Sequence, residues 1–465
     1  MPPTYDAILI GAGLASLTAA RSLSSHRVLV LEARTRPGGR ALTTQDTPMP
    51  VDLGCSMIHG FNEGNPAAKL ITQDLGMDVH IAKGAKGLVY AAAGVLSESD
   101  ATKLFANSAQ KAFSPPPTAP VNASVASLLL SQLDDPRLVA LARTAEIGAG
   151  ATLEEQSAKY AGFEQGFSGT DAWPAGGYGA EVVRNLLADV KAAGGEVELG
   201  AEVTAVEDIG KEDGVKVSLK DGRSFTAKAV VSTIPHAVLR EAPPTFTPAL
   251  SEQFTSAIER MRTGALEKIV LSYPSAWWPS PEENGSFLLL PLRDFPSTEK
   301  PASLRDLFAR TVIPVTSFQR MAAQPHPTLL AYIGADSARH LSTFEDAEVT
   351  AAFHSYLVER LSPSSPPPSP STALVTQWLK DPFSRGATST PVVLSTDKHG
   401  EPNTPLDFVI VSRPTWDGRL GWAGEHTVVD NHGSVAGAVE SGKREGERVR
   451  ELLERLAEQA AEAQA

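Results

Sequence analysis

Tyr5-Asp6-Ala7-Ile8-Leu9-Ile10-Gly11-Ala12-Gly13-Leu14-Ala15-Ser16 is the stretch whose reading decides the fold. The apolar run Ala7 to Ile10 predicts a short buried strand, Gly11 to Gly13 a tight turn, and the apolar spacing from Leu14 to Leu23 a helix. A second apolar run, Arg27 to Leu31, predicts the next strand, with Glu32 at its end. Strand, glycine turn, helix, strand and acid follow in the order of a dinucleotide-binding β-α-β unit. Gly11 permits the tight turn, and Gly13 lets the backbone approach a pyrophosphate. Ser16 stands where G-x-G-x-x-G has its third glycine, and it is small enough for a helix to pack closely on a strand. The helix N-terminus favours a phosphate anion. Glu32 suits ribose hydroxyls, and its charge disfavours a phosphorylated ribose. Arg36-Pro37-Gly38-Gly39-Arg40 follows, a glycine pair ending in a guanidinium that can fork onto a phosphate.

The rest of the chain bounds the answer. Its 465 residues, 42% of them hydrophobic, suffice for two domains or one large composite. A net charge of −13 argues against a nucleic-acid partner and is compatible with a cationic substrate. Cys55 is the single cysteine, so neither an intrachain disulfide nor a cysteine zinc site is expected, and no metal is assigned. No run approaches the roughly 18 apolar residues of a membrane span. The first residues show no signal peptide and the last no peroxisomal tripeptide, so no membrane partner and a cytoplasmic location are expected.

Helices are expected over 124–133, 135–146 and 179–193, and from about Ser434 onward. Strands are expected over 196–199, 203–208, 215–219, 224–227, 229–233 and 420–423, with Asp221-Gly222 as a hairpin turn. Residues 114–120, 279–301 and the Pro/Ser tract 361–371 read as loops, the last as a mobile surface loop.

"LEARTRPGGR" after "GAGLAS" resembles the start of the flavin-containing amine oxidases, the family of polyamine, spermine and monoamine oxidases and histone lysine demethylases. Five further motifs resemble that family in its own order: "DLGCSMIHGFNEGNP" (52–66), "PAGGYG" (174–179), "VVSTIPHAVL" (230–239), "LEKIVLSYPSAWWP" (266–279) and "WAGEHTVVDNHGSVAGAVESG" (422–442). The Ile-His-Gly and Gly-Asn-Pro of the first lean toward polyamine and spermine oxidases. The resemblance implies an α/β plus α+β fold. A Rossmann-type FAD domain would take 1–80, 194–240 and 405–465, and a discontinuous substrate domain 81–193 and 241–404. It implies non-covalent FAD, because members with covalent flavin use a cysteine near the C-terminus that this chain lacks. It also implies a small amine substrate, with molecular oxygen as acceptor and hydrogen peroxide as product.

Residue by residue, the resemblance assigns cofactor contacts to Gly11, Gly13, Leu14, Ala15, Ser16, Glu32, Ala33, Arg34, Gly39 and Arg40. It adds Gly54, Cys55, Ser56 and Met57, Val203 through its backbone, Gly424 and Glu425, and Ser434 and Val435 at the last helix. Lys268 matches the lysine that holds a water near the reactive flavin nitrogen. On spacing alone it is a solvated lysine opening an apolar strand, 269–271. His59 matches a histidine near the substrate nitrogens, able to accept or relay a proton. The chain departs from the family at the aromatic cage: Arg385-Gly386-Ala387-Thr388 carries no aromatic residue, and Ser434 stands at the second cage position. Trp173, Tyr178, Trp277, Trp278 or Trp378 could supply a replacement wall, and Glu154, Glu155 or Glu164 a substrate acid. Two other readings stay open: a flavin-dependent oxidase or desaturase of a non-amine, and a flavin-holding interaction protein with little turnover.

Overall fold

The computed structural model describes residues 5–110, 118–293 and 300–464. Two large sheets organise them. The first is built around β1 (Tyr5–Ile10), which pairs in parallel with β2 (Val28–Glu32) on one side and with the strand Ser224–Ser232 on the other. The strand Glu196–Leu199 extends it beyond β2. The hairpin strands Val203–Gly210 and Gly214–Leu219, then Thr245–Thr247, extend it the other way, and Leu420–Trp422 pairs with Ser224–Ser232.

Alternation along β1 explains why both faces of this sheet are covered. Ala7 and Leu9 enter one core with helix α1 (Leu14–Ser22), while Ile8 and Ile10 enter the opposite one. The C-terminal helix Val435–Gln464 lies against α1 through two glycines. A Cβ at Gly442 would meet the Ala15 carbonyl oxygen at 2.3 Å, and one at Gly446 would meet Ser22 Cβ at 2.7 Å, so no larger residue allows this approach.

The second sheet runs, in spatial order, Thr372–Val375, Leu266–Ser272, Thr328–Gly334, Ile313–Ser317, Asn284–Leu289, Lys86–Ala91 and Gly94–Val95. It is antiparallel except where Asn284–Leu289 lies parallel to Lys86–Ala91. Ile269, Leu271, Leu329, Ala331 and Ile333 point into a core closed by helices Leu304–Arg310, Ala335–Leu341 and Asp346–Leu361. Val270 and Leu330 point the other way, onto Val51 and Leu53. Period-two alternation therefore turns Lys268 toward the first sheet and Glu267 away from it.

Several expectations change. The strands expected at 224–227 and 229–233 are one continuous strand, Ser224–Ser232. The helix expected over 135–146 is two, Pro136–Ala142 and Ala145–Ala149. Thr245–Thr247 pairs in the first sheet, although the boundary expected at 240/241 assigns it to the substrate part. The loop expected over 279–301 contains the strand Asn284–Leu289, whose Phe287 and Leu289 are buried. Residues 294–299 of that loop, and 114–117 of the loop expected over 114–120, lie outside the described residues. The tract 361–371 begins on the last residue of a helix and is irregular from 362 to 371.

Candidate active site and cofactor cradle

A continuous cavity of about 430 Å³ opens where the carboxyl ends of the first sheet's parallel strands face the second sheet. Open α/β sheets bind ligands at this place. Gly11 and Gly13 follow β1, Glu32 to Arg34 end β2, Thr233 to Pro235 follow Ser224–Ser232, and Gly424 and Glu425 follow Leu420–Trp422.

The geometry of the glycine turn suits an extended dinucleotide. Gly11 holds φ +102°, and a Cβ there would strike Thr233 Oγ1 at 2.5 Å. Gly38 N donates to Ala12 O at 2.8 Å, which fastens the second glycine segment beside the first. No side chain caps the first turn of α1, leaving its amides for an anion. Glu32 accepts from Ala12 N at 2.8 Å and Arg34 N at 2.9 Å, so its carboxylate is fixed at the cavity wall. The donor set fits a pyrophosphate and a ribose diol.

Every residue expected to touch the cofactor lines this cavity except Ser16. Ser16 is fully buried within α1, where its small size serves packing. Arg34 is tied to both carboxylate oxygens of Asp381, at 3.0 and 2.9 Å. Arg40 is engaged differently from the expected phosphate fork: its Nη1 donates to Glu425 Oε1 at 2.7 Å and to Ala387 O at 2.8 Å. Glu425 also accepts from Ser389 Oγ at 2.5 Å and Gly433 N at 2.9 Å. Burial opposes its charge, but Arg40, His426 and the Ser389 hydroxyl outweigh burial and hold the carboxyl at about 2. Glu425 thus braces the cradle through Arg40.

The second sheet supplies the facing wall. Lys268 is 4% exposed and lies inside the strand Leu266–Ser272, not at a solvated start. Its Nζ donates to Gly54 O at 2.6 Å and Asp52 O at 2.9 Å. Burial draws the ammonium down to about 8 against the pull of Asp52. Tyr332, directly opposite Lys268 in the register, lines the cavity and places its ring 5.5 Å from Nζ. Burial pushes the Cys55 thiol up to about 12, and the Asp52 charge adds to it. His59 stands at the rim, its side chain 65% exposed, with Nδ1 3.2 Å from Asp171 Oδ2.

Of the proposed aromatic replacements, Trp378 lines the cavity and donates its indole N–H to Leu53 O at 3.3 Å. Trp277 and Trp278 pack with Tyr273 in the other core, Tyr178 is fully buried, and Trp173 pairs across to His80; none lines the cavity. Glu154 pairs with Arg143, Glu155 with Arg339 and Glu164 with His432, and none of these acids lines it either. Ala387, Thr388 and Ser434 do line it, so both cage positions face the cavity without an aromatic ring. Sequence reasoning missed Tyr332 and Asp171. The alternating strand Thr328–Gly334 beside the lysine strand was the available signal for Tyr332. Asp171 comes from an irregular segment and had none. Among the described residues no cluster could hold a metal ion, and no helix is long and apolar enough to cross a membrane.

Comparison with known proteins agrees with this geometry. Residues 9–73 match the NAD(P)-binding Rossmann-like domain, and residues 161–450 match the flavin containing amine oxidoreductases. Polyamine oxidase 2 of Arabidopsis thaliana is 27% identical over 463 residues, covering 94% of this chain and 86% of that protein. Human lysine-specific histone demethylase 2 is 27% identical over 486 residues, covering 97% of this chain but 54% of that protein. In structure, cyclohexylamine oxidase from Brevibacterium oxydans superposes with a TM-score of 0.73 at 22% identity, over 97% of this chain and all of that one. With more than half of its length matched and a cradle shaped for FAD, the chain belongs to the flavin-containing amine oxidoreductase family.

Proposed function

We infer that the protein is an oxygen-dependent amine oxidase that holds FAD non-covalently and acts on a small amine, with polyamines the first class to test. The buried Lys268 ammonium on the wall facing the dinucleotide cradle carries this reading. FAD, when bound, would supply the hydride acceptor and the link to oxygen, with hydrogen peroxide as the product.

The chain's own residues do the rest. The Gly11–Gly13 turn and the α1 amides would hold the pyrophosphate, and Glu32 would hold the ribose. Leu53, Leu266, Tyr332 and Trp378 form an apolar wall that limits water at the reacting centre. Lys268 Nζ offers a cation and a proton donor there, placed to stabilise negative charge as oxygen is reduced. His59 at the rim takes the proton that an alkylammonium must lose before its carbon can give up hydride. Tyr332 and Trp378 stand in for the missing cage as surfaces for the amine's carbon skeleton.

Peroxide release from the purified holoenzyme, measured across polyamines, monoamines and amino acids, tests the reading. Turnover of at least one amine is expected, and none on any would end it. The bare cage positions, in the stretch 385–388 and at Ser434, favour a second reading, oxidation of a non-amine. Anaerobic bleaching of the flavin by a non-amine but by no amine would establish that instead.

A further inference from the structure

We propose that Asp171 is the positioning residue of a His59–Asp171 pair, fixing the proton of His59 on Nδ1 so that Nε2 is the nitrogen that deprotonates the substrate. The inference rests on the reading of His59 as proton acceptor and adds a residue to it.

Asp171 reaches His59 from a distant stretch of chain. Residues 161–171 have no regular structure, yet their C-terminal end, from Ser168 on into Ala172, is sewn to the His59 loop. Ile58 N donates to Ala172 O at 2.7 Å, Phe61 N to Thr170 O at 2.9 Å, and Asn62 Nδ2 to Ser168 O at 2.6 Å. Between these ties the Asp171 carboxylate divides its two oxygens: Oδ1 accepts from Gly60 N at 3.2 Å and Oδ2 lies 3.2 Å from His59 Nδ1. The backbone of His59 is held separately. Asn65 caps the helix Pro66–Lys69 with its side-chain oxygen and donates its amide to His59 O at 2.8 Å. Main chain and ring are therefore fixed by different side chains.

The tautomer follows from the partner. A carboxylate beside Nδ1 accepts a hydrogen bond and favours the proton on that nitrogen, leaving the lone pair on Nε2. His59 lines the cavity, so an ammonium bound there meets a base already in the right form. Its N–H bond breaks, the proton goes to Nε2, and the electron pair stays on the amine nitrogen. The imidazolium so formed keeps Nδ1–H toward Asp171, whose charge offsets it, and sheds the Nε2 proton to solvent at the exposed rim.

The test combines a spectrum with kinetics on the holoenzyme. With ¹⁵N-labelled histidine, the His59 signals, identified by their loss in His59→Ala, should show the Nδ1–H tautomer. Asp171→Ala should abolish that preference. Asp171→Asn keeps an oxygen for Gly60 N and checks that the loop is still formed, and its absorbance should match the parent's bound flavin. On a turned-over amine, Asp171→Ala should lower kcat/KM about tenfold or more, mainly through kcat. The same change added to His59→Ala should cost nothing further. An unchanged tautomer in Asp171→Ala, or additive losses in the double variant, would overturn the proposal. The tautomer is read without turnover, so failure of the amine-oxidase reading and failure of this one are told apart.

Discussion

Glu267 and Lys268 are neighbours in sequence, buried on opposite faces of one strand, and each is drawn toward its neutral form. Lys268 faces the cavity with its ammonium near 8, so it is cationic below that pH and neutral above it. Oxygen consumption by the reduced enzyme should therefore slow as pH rises through about 8. Lys268→Met should slow it about 100-fold and erase that dependence, as followed by stopped-flow absorbance. Glu267 faces the other core and has no cation beside it among the described residues. Its carboxylate accepts from Thr376 Oγ1 at 2.5 Å, Leu379 N at 3.0 Å and Trp378 N at 3.1 Å, yet burial outweighs these and pushes it up to about 7. A raised carboxyl contributes stability that is full below its ordinary value of 4.5 and is lost as pH rises through about 7. Denaturant unfolding of the parent should show that decline, on the order of 3 kcal/mol at most, and Glu267→Gln should flatten it. The sequence marked Lys268 only through the family resemblance, since apolar spacing alone made it a solvated residue. Nothing local marked Glu267, because its partners lie more than a hundred residues away.

At the level of elements, the β-α-β start was legible because turn, periodicity and terminal acid all sit within about thirty residues. The contact that closes α1 from outside was not, because it joins residues 15–22 to 442–446. Its physical requirement is the absence of side chains. Gly442→Val should force the C-terminal helix off α1 and cost roughly 1–3 kcal/mol, read as a lower thermal midpoint. The same substitution at Gly166, where a Cβ meets nothing within 4 Å and the backbone is not left-handed, controls for the loss of a glycine as such. The strand Asn284–Leu289 was misread as loop because prolines surround it. Its place is set by pairing with Lys86–Ala91, almost two hundred residues earlier. Hydrogen bonds to a distant strand override local turn composition.

Across the whole molecule, the cavity belongs to neither sheet alone. The first sheet brings the glycine turn and Glu32, the second brings Lys268 and Tyr332, and Asp52 to Met57 runs between them. A ligand bound to both walls stabilises both. Removing FAD should therefore speed hydrogen exchange in the lysine strand 266–272 as well as in the turn 11–16. Protection lost from the turn alone would mean that the two halves hold their shape independently. Motif order conveyed the family while the substrate stayed open because of how the residues are distributed along the chain. Cofactor residues lie in short contiguous runs, whereas the rest of the cavity wall draws Tyr332, Trp378 and Thr388 from elsewhere in the chain, and Asp171 reaches the rim histidine from yet another stretch.

Cys55 gives the cavity wall a chemical consequence of its own. It is the chain's one sulfhydryl and it lines the cavity, which on the proposed oxidase reading is where peroxide is released. Raising the thiol from 9.0 to about 12 cuts the reactive thiolate about a thousandfold at neutral pH. Sulfenic acid formation starts from that anion, so under the proposed oxidase reading the wall would resist self-inactivation by withholding the nucleophile rather than by replacing the sulfur.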